Sequence, residues 1–177
     1  MIPIFIASNK GHSGKTFLAL GLGMKLIEQG YKVGYIKPIG RTPVKKGREV
    51  FDADALFMKE AFSLSDALGV ISPFVVGFET QNLLFEGKIK DVKKRILDAV
   101  SAQKDKDFVL IGGAGDLFEG AAFDIDAPDL INDLQARAVL VESWSGDVSV
   151  DALMGAHKLL GERFIGGIIN KVPLNAI

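Results

Sequence analysis

The chain alternates short, largely apolar runs with longer stretches of helical period. Ile2–Ala7, Lys32–Ile36, Phe108–Ile111, Ala138–Val141 and Phe164–Ile169 are short and almost continuously apolar, the pattern of strands buried on both faces of a sheet. Between them lie helix patterns. One is predicted from Lys15 to Gln29, with Gly30 as the stop behind it. Another covers Asp52–Ala61. A third covers Val92–Ala102, where Ile89, Val92, Ile96, Ala99 and Val100 follow the helical period and Lys93, Lys94 and Arg95 lie outside. A fourth covers Ser149–Leu160, with Ser149 as its N-cap and Asp151 in its first turn. This alternation predicts an α/β fold in three layers: a mostly parallel, twisted sheet with helices on both faces. A length of 177 residues fits one domain, 1–177. Ser63 to Gly87, with Pro73 and several aromatics, is the least regular stretch. Ordinary loop packing is the favoured reading, a lid or partner surface the alternative.

The first strand runs straight into Lys10-Gly-His-Ser-Gly-Lys-Thr16, which opens the first helix. A strand, a Gly-rich turn and a helix N-terminus in that order make a phosphate cradle, because backbone N–H groups and the helix dipole converge on one spot. The motif therefore predicts a P-loop fold. Gly11, His12, Ser13 and Gly14 supply the backbone cradle. Lys15 places a cation on the β/γ-phosphates, and the Thr16 hydroxyl can ligate Mg²⁺. The strict pattern would have Gly at position 9, where this chain has Asn9, and a second lysine, Lys10, follows. Lys10 is either a solvated loop lysine or a group that reaches nucleotide.

Composition narrows the chemistry. There is no cysteine, so disulfides, thiolate metal sites and Cys nucleophiles are excluded. With only His12 and His157, a His-rich metal site is excluded as well. Basic and acidic residues number 21 and 22, so there is no basic stripe of the kind nucleic acid requires. The N-terminal MIPIFIAS lacks the basic region of a signal peptide. Phe17–Ile27 carries Lys25 and is too short to span a bilayer. The expectation is a soluble cytoplasmic protein without membrane or nucleic-acid contacts. Its end, just behind the final strand, resembles a domain boundary.

Ligands of open parallel sheets bind at the carboxyl ends of the strands, which singles out a second tier of residues. Lys37 precedes Pro38 at the end of the second strand; it is either aimed at the ligand edge or solvated before a turn. Asp54, near the start of its helix, is either a metal ligand or an acid that favours the helix dipole. Asn170 follows the last strand; its carboxamide suits an adenine edge or a plain turn. Gly112 stands at the end of the Phe108–Ile111 strand, where phosphate-loop proteins normally carry an acid for the metal. Asp107 lies at the wrong end of that strand, while Asp116 and Glu119 follow it.

Taken in order, Gly14-Lys15-Thr16, Lys37-Pro38-Ile39-Gly40, Asp54-Ala55, Gly113-Ala114-Gly115 and Asn170-Lys171-Val172 resemble the dethiobiotin synthetase-like group of P-loop NTPases. Within it the chain is most similar to the BioD-like N-terminal domain of phosphotransacetylases and DRTGG-domain proteins. The loop also resembles the variant found in MinD/ParA ATPases, except that His12 replaces a glycine. The resemblance implies ATP and Mg²⁺ as cofactors. It implies Lys15 and Lys37 as the lysines of phosphoryl transfer, Thr16 and Asp54 as metal ligands, and Asn170 as an adenine contact. It implies a homodimer too, in which Lys10 reaches a partner's nucleotide, and a carboxylate small molecule as a possible second substrate. The group has Glu-Gly-Ala-Gly where this chain has Gly112-Gly-Ala-Gly115. Losing that acid should weaken turnover more than binding. The resulting expectation is an ATP-binding domain that regulates or senses and hydrolyses slowly. An ATP-dependent carboxylate ligase and a MinD/ParA-like dimerising switch are the alternatives.

Overall fold

The computed structural model describes residues 1–77 and 79–176. In chain order the elements are β1 (Ile2–Ala7), α1 (Lys15–Glu28), β2 (Val33–Ile36), β3 (Pro43–Lys46), β4 (Glu49–Asp52), α2 (Ala53–Ala61) and α3 (Leu68–Ile71). There follow α4 (Thr80–Phe85), α5 (Val92–Ser101), β5 (Phe108–Gly112), α6 (Ala127–Asp133), β6 (Arg137–Ser143), α7 (Ser149–Leu160) and β7 (Phe164–Asn170). Five strands form one sheet of order β2-β5-β1-β6-β7, and every neighbouring pair is parallel. The predicted α/β architecture is therefore the observed one.

Strand β1 runs through the middle and shows why the apolar runs are continuous. Ile4 and Ile6 face one layer, packed with Ala19 of α1 and Ala55 and Met58 of α2. Phe5 and Ala7 face the other, packed with Ile96 of α5, Leu130 and Ile131 of α6 and Ala156 of α7. Each fully buried Ile or Phe contributes roughly 1.5–3 kcal/mol. With both faces covered, the period-2 alternation has no polar partner left to show.

The helix ends follow from local chemistry. Behind α1, Gly30 takes φ 88°, its N–H donates to Ile27 and that of Tyr31 to Leu26, which closes the last turn. Helix α2 starts one residue later than expected, because Asp52 is its N-cap. Ser149 is not the N-cap of α7. That position belongs to Val148, and the Ser149 hydroxyl instead accepts from the Ser145 N–H (2.7 Å) and donates to the Gly146 carbonyl (2.7 Å). The chain enters α7 through the Gly146 turn, so the serine side chain braces the turn.

The hairpin β3–β4 and the short helices α3 and α4 are not among the predicted elements. Pro43–Lys46 and Glu49–Asp52 pair as an antiparallel hairpin, turning at Gly47 with φ 66°. The Ser63–Gly87 stretch holds α3 and α4, with Ile71 and Phe74 buried. It lies along the end of β2: the Lys37 N–H donates to Ile71, the Gly40 N–H to Phe74, and the Val76 N–H to Gly40. Among its described residues it packs as part of the body.

Candidate functional site

The carboxyl ends of β1, β2 and β5 open into a cleft of about 420 Å³, lined by Gly11 through Thr16, Lys37, Arg41, Thr42, Asp54, Ala114 and Gly115. The floor is the turn between β1 and α1. His12 (φ 58°) and Gly14 (φ 106°) fold it back so that α1 points its N-terminus into the cleft, and no side chain caps that end. A Cβ on Gly14 would run into the Asn170 carboxamide, so both the backbone angle and the close approach require glycine.

Lys15 is almost buried. Its ammonium donates to the Ser8 hydroxyl (2.5 Å) and the Gly115 carbonyl (3.1 Å), which ties the floor of the cleft to the loop behind β5. Burial, with the neighbouring Lys37 charge adding to it, pulls its pKa down to about 8, against the opposing effect of Glu119, Asp54 and Asp116. Lys37 donates to the Asp54 carboxylate (3.2 Å) and to the Gly113 carbonyl (3.2 Å). The Thr16 hydroxyl donates to the same Asp54 oxygen (3.0 Å). Two hard oxygen donors, hydroxyl and carboxylate, thus meet beside two lysines at a helix N-terminus, a donor set that suits Mg²⁺ on a phosphate.

Asp54 is held there by Asp52, which the sequence reading passed over. One Asp52 oxygen accepts from the N–H groups of Asp54 (3.0 Å) and Ala55 (3.3 Å); the other accepts from those of Arg41 (2.8 Å) and Thr42 (2.9 Å). A single buried carboxylate therefore starts α2 and anchors the base of the hairpin. An Asp followed two residues later by another, just ahead of a helix pattern, was the available signal.

The structure separates the remaining candidates. Asn170 sits against the cradle: its Nδ2 donates to the Ser13 carbonyl (2.9 Å), and its Oδ1 accepts from the Lys171 N–H. Lys171 donates to the His12 carbonyl (2.6 Å). Lys10 does not line the cleft. Its ammonium lies 3.5 Å from Glu142, a buried carboxylate at the end of β6 whose second oxygen has no partner. Asp116 accepts from the Phe118 N–H in its own turn. Glu119 accepts from the Gly115 N–H (2.7 Å) and pairs with Arg41. Neither acid stands with Thr16 and Asp54.

The end of β5 brings Gly112 against Tyr35. Gly112 has no side chain, and a Cβ there would collide with the Tyr35 hydroxyl and lie 3.4 Å from Cδ of Lys37. Tyr35 is fully buried and its hydroxyl has no hydrogen-bond partner. Burial, reinforced by the negative charges of Asp54 and Asp52, raises the phenol's pKa well above its usual value, so it stays protonated. No residue type or spacing in the sequence signalled this contact.

A family model described as an AAA domain matches residues 3–176. The chain belongs to this family, as a dethiobiotin synthetase-like P-loop NTPase domain. The domain is 26% identical over 181 residues to a phosphate acetyltransferase of Synechocystis, covering 96% of this chain and 25% of that protein. It is 24% identical over 125 residues to the ATP-dependent dethiobiotin synthetase BioD of Caldicellulosiruptor bescii, covering 66% of this chain and 49% of the relative. The P-loop domain thus spans between a quarter and a half of the length of these relatives. Among solved structures, FtsY of Mycoplasma mycoides superposes with a TM-score of 0.55 at 17% identity, over 96% of this chain and 52% of that one. The Signal Recognition Particle 54 kDa protein of Aeropyrum pernix, in complex with GDP, gives 0.54 at 15%, over 99% and 36%. At these identities the superpositions show the P-loop fold alone. No helix among the described residues is long and apolar enough to cross a membrane.

Proposed function

We propose that this P-loop domain binds Mg-ATP in the cleft as a regulatory or sensing module and hydrolyses it slowly. Lys15 and Lys37 would hold the β/γ-phosphates, the Gly11–Gly14 backbone would cradle them, and Asn170 would meet the base. Thr16 and Asp54 would hold Mg²⁺, whose contribution is to neutralise charge developing on the transferred phosphoryl group. The observation that carries the reading is Gly112: it leaves the metal one carboxylate short, and Tyr35 fills the space. Binding survives such a loss better than turnover, because the cradle and lysines act on the ground state as well as on the transition state. The names of the BioD relatives support ATP as the nucleotide.

Calorimetry and phosphate release test this together. Wild type is expected to bind Mg-ATP, Lys15→Ala to lose at least about tenfold in affinity, and both to release little phosphate. Equal absence of binding in both proteins ends the proposal.

A second cavity favours a different use of the same nucleotide. About 150 Å³ in volume, it adjoins the cleft, is lined by Ile39, Phe74, Leu84 and Phe123, and shares Arg41 with it. Arg41 is paired with Glu119, which lines this pocket too, so a small carboxylate of the kind an ATP-dependent ligase would need has to take the guanidinium from that pair. ADP release that depends on an added carboxylate and an amine donor would establish that reading. A cytoplasmic homodimer in which Lys10 crosses to a partner's nucleotide would have to give up the Lys10–Glu142 pair. Size-exclusion with and without Mg-ATP tests for it.

A further inference from the structure

The Tyr35 hydroxyl is costly where it stands. A buried hydroxyl without a partner forfeits its hydrogen bonds to water and gains nothing in exchange. Phenylalanine would fill the same space without that loss. The ring is well accounted for: it packs in the layer formed by Ile4, Met58 and Leu110 and meets Phe62 edge-on, with centroids 6.5 Å apart. The oxygen alone is left without a partner in the fold.

Its position suggests a partner. Tyr35 and Lys37 lie two residues apart at the end of β2, so both point to the α1–α2 face of the sheet. The phenolic oxygen and the Lys37 methylene chain share the space above Gly112. Lys37 in turn is held by Asp54, next to Thr16. When a polyphosphate enters the cleft it competes with Asp54 for the Lys37 ammonium. That exchange would free the carboxylate for a cation. A neutral phenol can then accept a hydrogen bond from metal-bound water, as a carboxylate would, without adding the negative charge.

We infer that Tyr35 is a positioning residue of the nucleotide site, its hydroxyl accepting a hydrogen bond from the hydration shell of the Mg²⁺ held by Thr16 and Asp54. The inference rests on Mg-ATP binding in the cleft. It accounts for a hydroxyl beside a glycine at the metal site: an oxygen remains to accept from the metal's water while the charge of the acid is lost.

Tyr35→Phe gives readouts of opposite sign. The unliganded variant should melt about 2–4 °C higher, because an unpaired buried hydroxyl is removed. Its affinity for ATP in Mg²⁺ should fall about 3- to 10-fold, the value of one hydrogen bond. Its affinity for ATP in EDTA should match wild type, since the hydroxyl acts through the metal. A higher melting temperature with unchanged Mg-ATP affinity would overturn the inference and leave the nucleotide site standing. An equal loss in Mg²⁺ and in EDTA would overturn it too, by making Tyr35 a support of the cradle. Absence of Mg-ATP binding in wild type would remove both this inference and the reading beneath it.

Discussion

The Tyr35 hydroxyl occupies the space that a side chain on Gly112 would need, across the β2–β5 strand pair. The glycine and the tyrosine are therefore a matched pair, and an acid cannot be restored at position 112 by itself. Gly112→Glu should push the phenol off its packing and cost about 1–3 kcal/mol, as overpacking of a filled core does. Tyr35→Val removes the phenol and with it roughly two-thirds of the volume that the glutamate adds. The Tyr35→Val, Gly112→Glu double variant should recover most of the urea midpoint lost by Gly112→Glu and release phosphate about tenfold faster than wild type. A double variant that folds, binds Mg-ATP and stays as slow as wild type would show that the missing acid is not what limits turnover.

Periodicity and strand-to-loop transitions made the sheet and the cradle with Lys15 and Thr16 legible, because each has a local signature. Gly30 behind its helix is a case in point. For Asp54 they left a helix-dipole role open as well, and only the family resemblance pointed it to the metal. The hairpin was not legible: Val44 and Val50 remain exposed, and burial is confined to Phe51 and Asp52 at its end, so no alternation marks it. Contacts that join distant segments carried no local signal either. Asn170 meets Ser13 across 157 positions and Lys15 meets Gly115 across 100. Glu142 is intermediate. An acid at the end of an apolar strand was the pattern sought at position 112, and it was present on β6 instead.

Asp52 should be the most sensitive acid for stability. Removing its carboxylate leaves the N–H groups of Arg41, Thr42, Asp54 and Ala55 without their acceptor. Asp52→Ala is expected to cost about 2–4 kcal/mol, a lost N-cap together with unpaired buried donors. Asp52→Asn, which keeps one acceptor oxygen, should lose about half as much. Mg-ATP affinity should fall in step, because Asp54 is placed by the same carboxylate. Urea midpoints and calorimetry on both variants check the order. Asp52→Ala matching wild type in midpoint would refute it.

The Lys10–Glu142 pair makes an asymmetric prediction. Lys10→Ala strands a buried carboxylate that already has one unpaired oxygen, whereas Glu142→Gln strands only a half-exposed lysine that water can solvate. The first should cost about 1–2 kcal/mol, less than a fully buried pair because the lysine is partly solvated, and the second under about 1 kcal/mol. The double variant should be more stable than Lys10→Ala alone. Melting temperatures of the three proteins test this, and equal losses in both single variants would count against in-chain pairing as the role of Lys10.

Lys15 links nucleotide binding to protons. Its pKa near 8 in the empty fold lies below the 10.5 of an unfolded chain. Between these values the unfolded chain binds more protons, so the empty domain should gain stability as pH rises from about 8 towards 10.5, and the burial cost is fully present below 8. Nucleotide acts in the opposite sense, because phosphate charge favours the ammonium and raises its pKa in the complex. Near pH 8 about half the empty molecules lack the proton, so binding should take up about half a proton. Above that pH the affinity should fall by up to about tenfold per unit until the pKa of the bound lysine is reached. Calorimetry at pH 8 in two buffers of different ionisation enthalpy reads the uptake directly. Lys15→Arg, charged throughout this range, should abolish the Lys15 share of that uptake. Equal uptake in wild type and Lys15→Arg would place the titrating group elsewhere in the cleft.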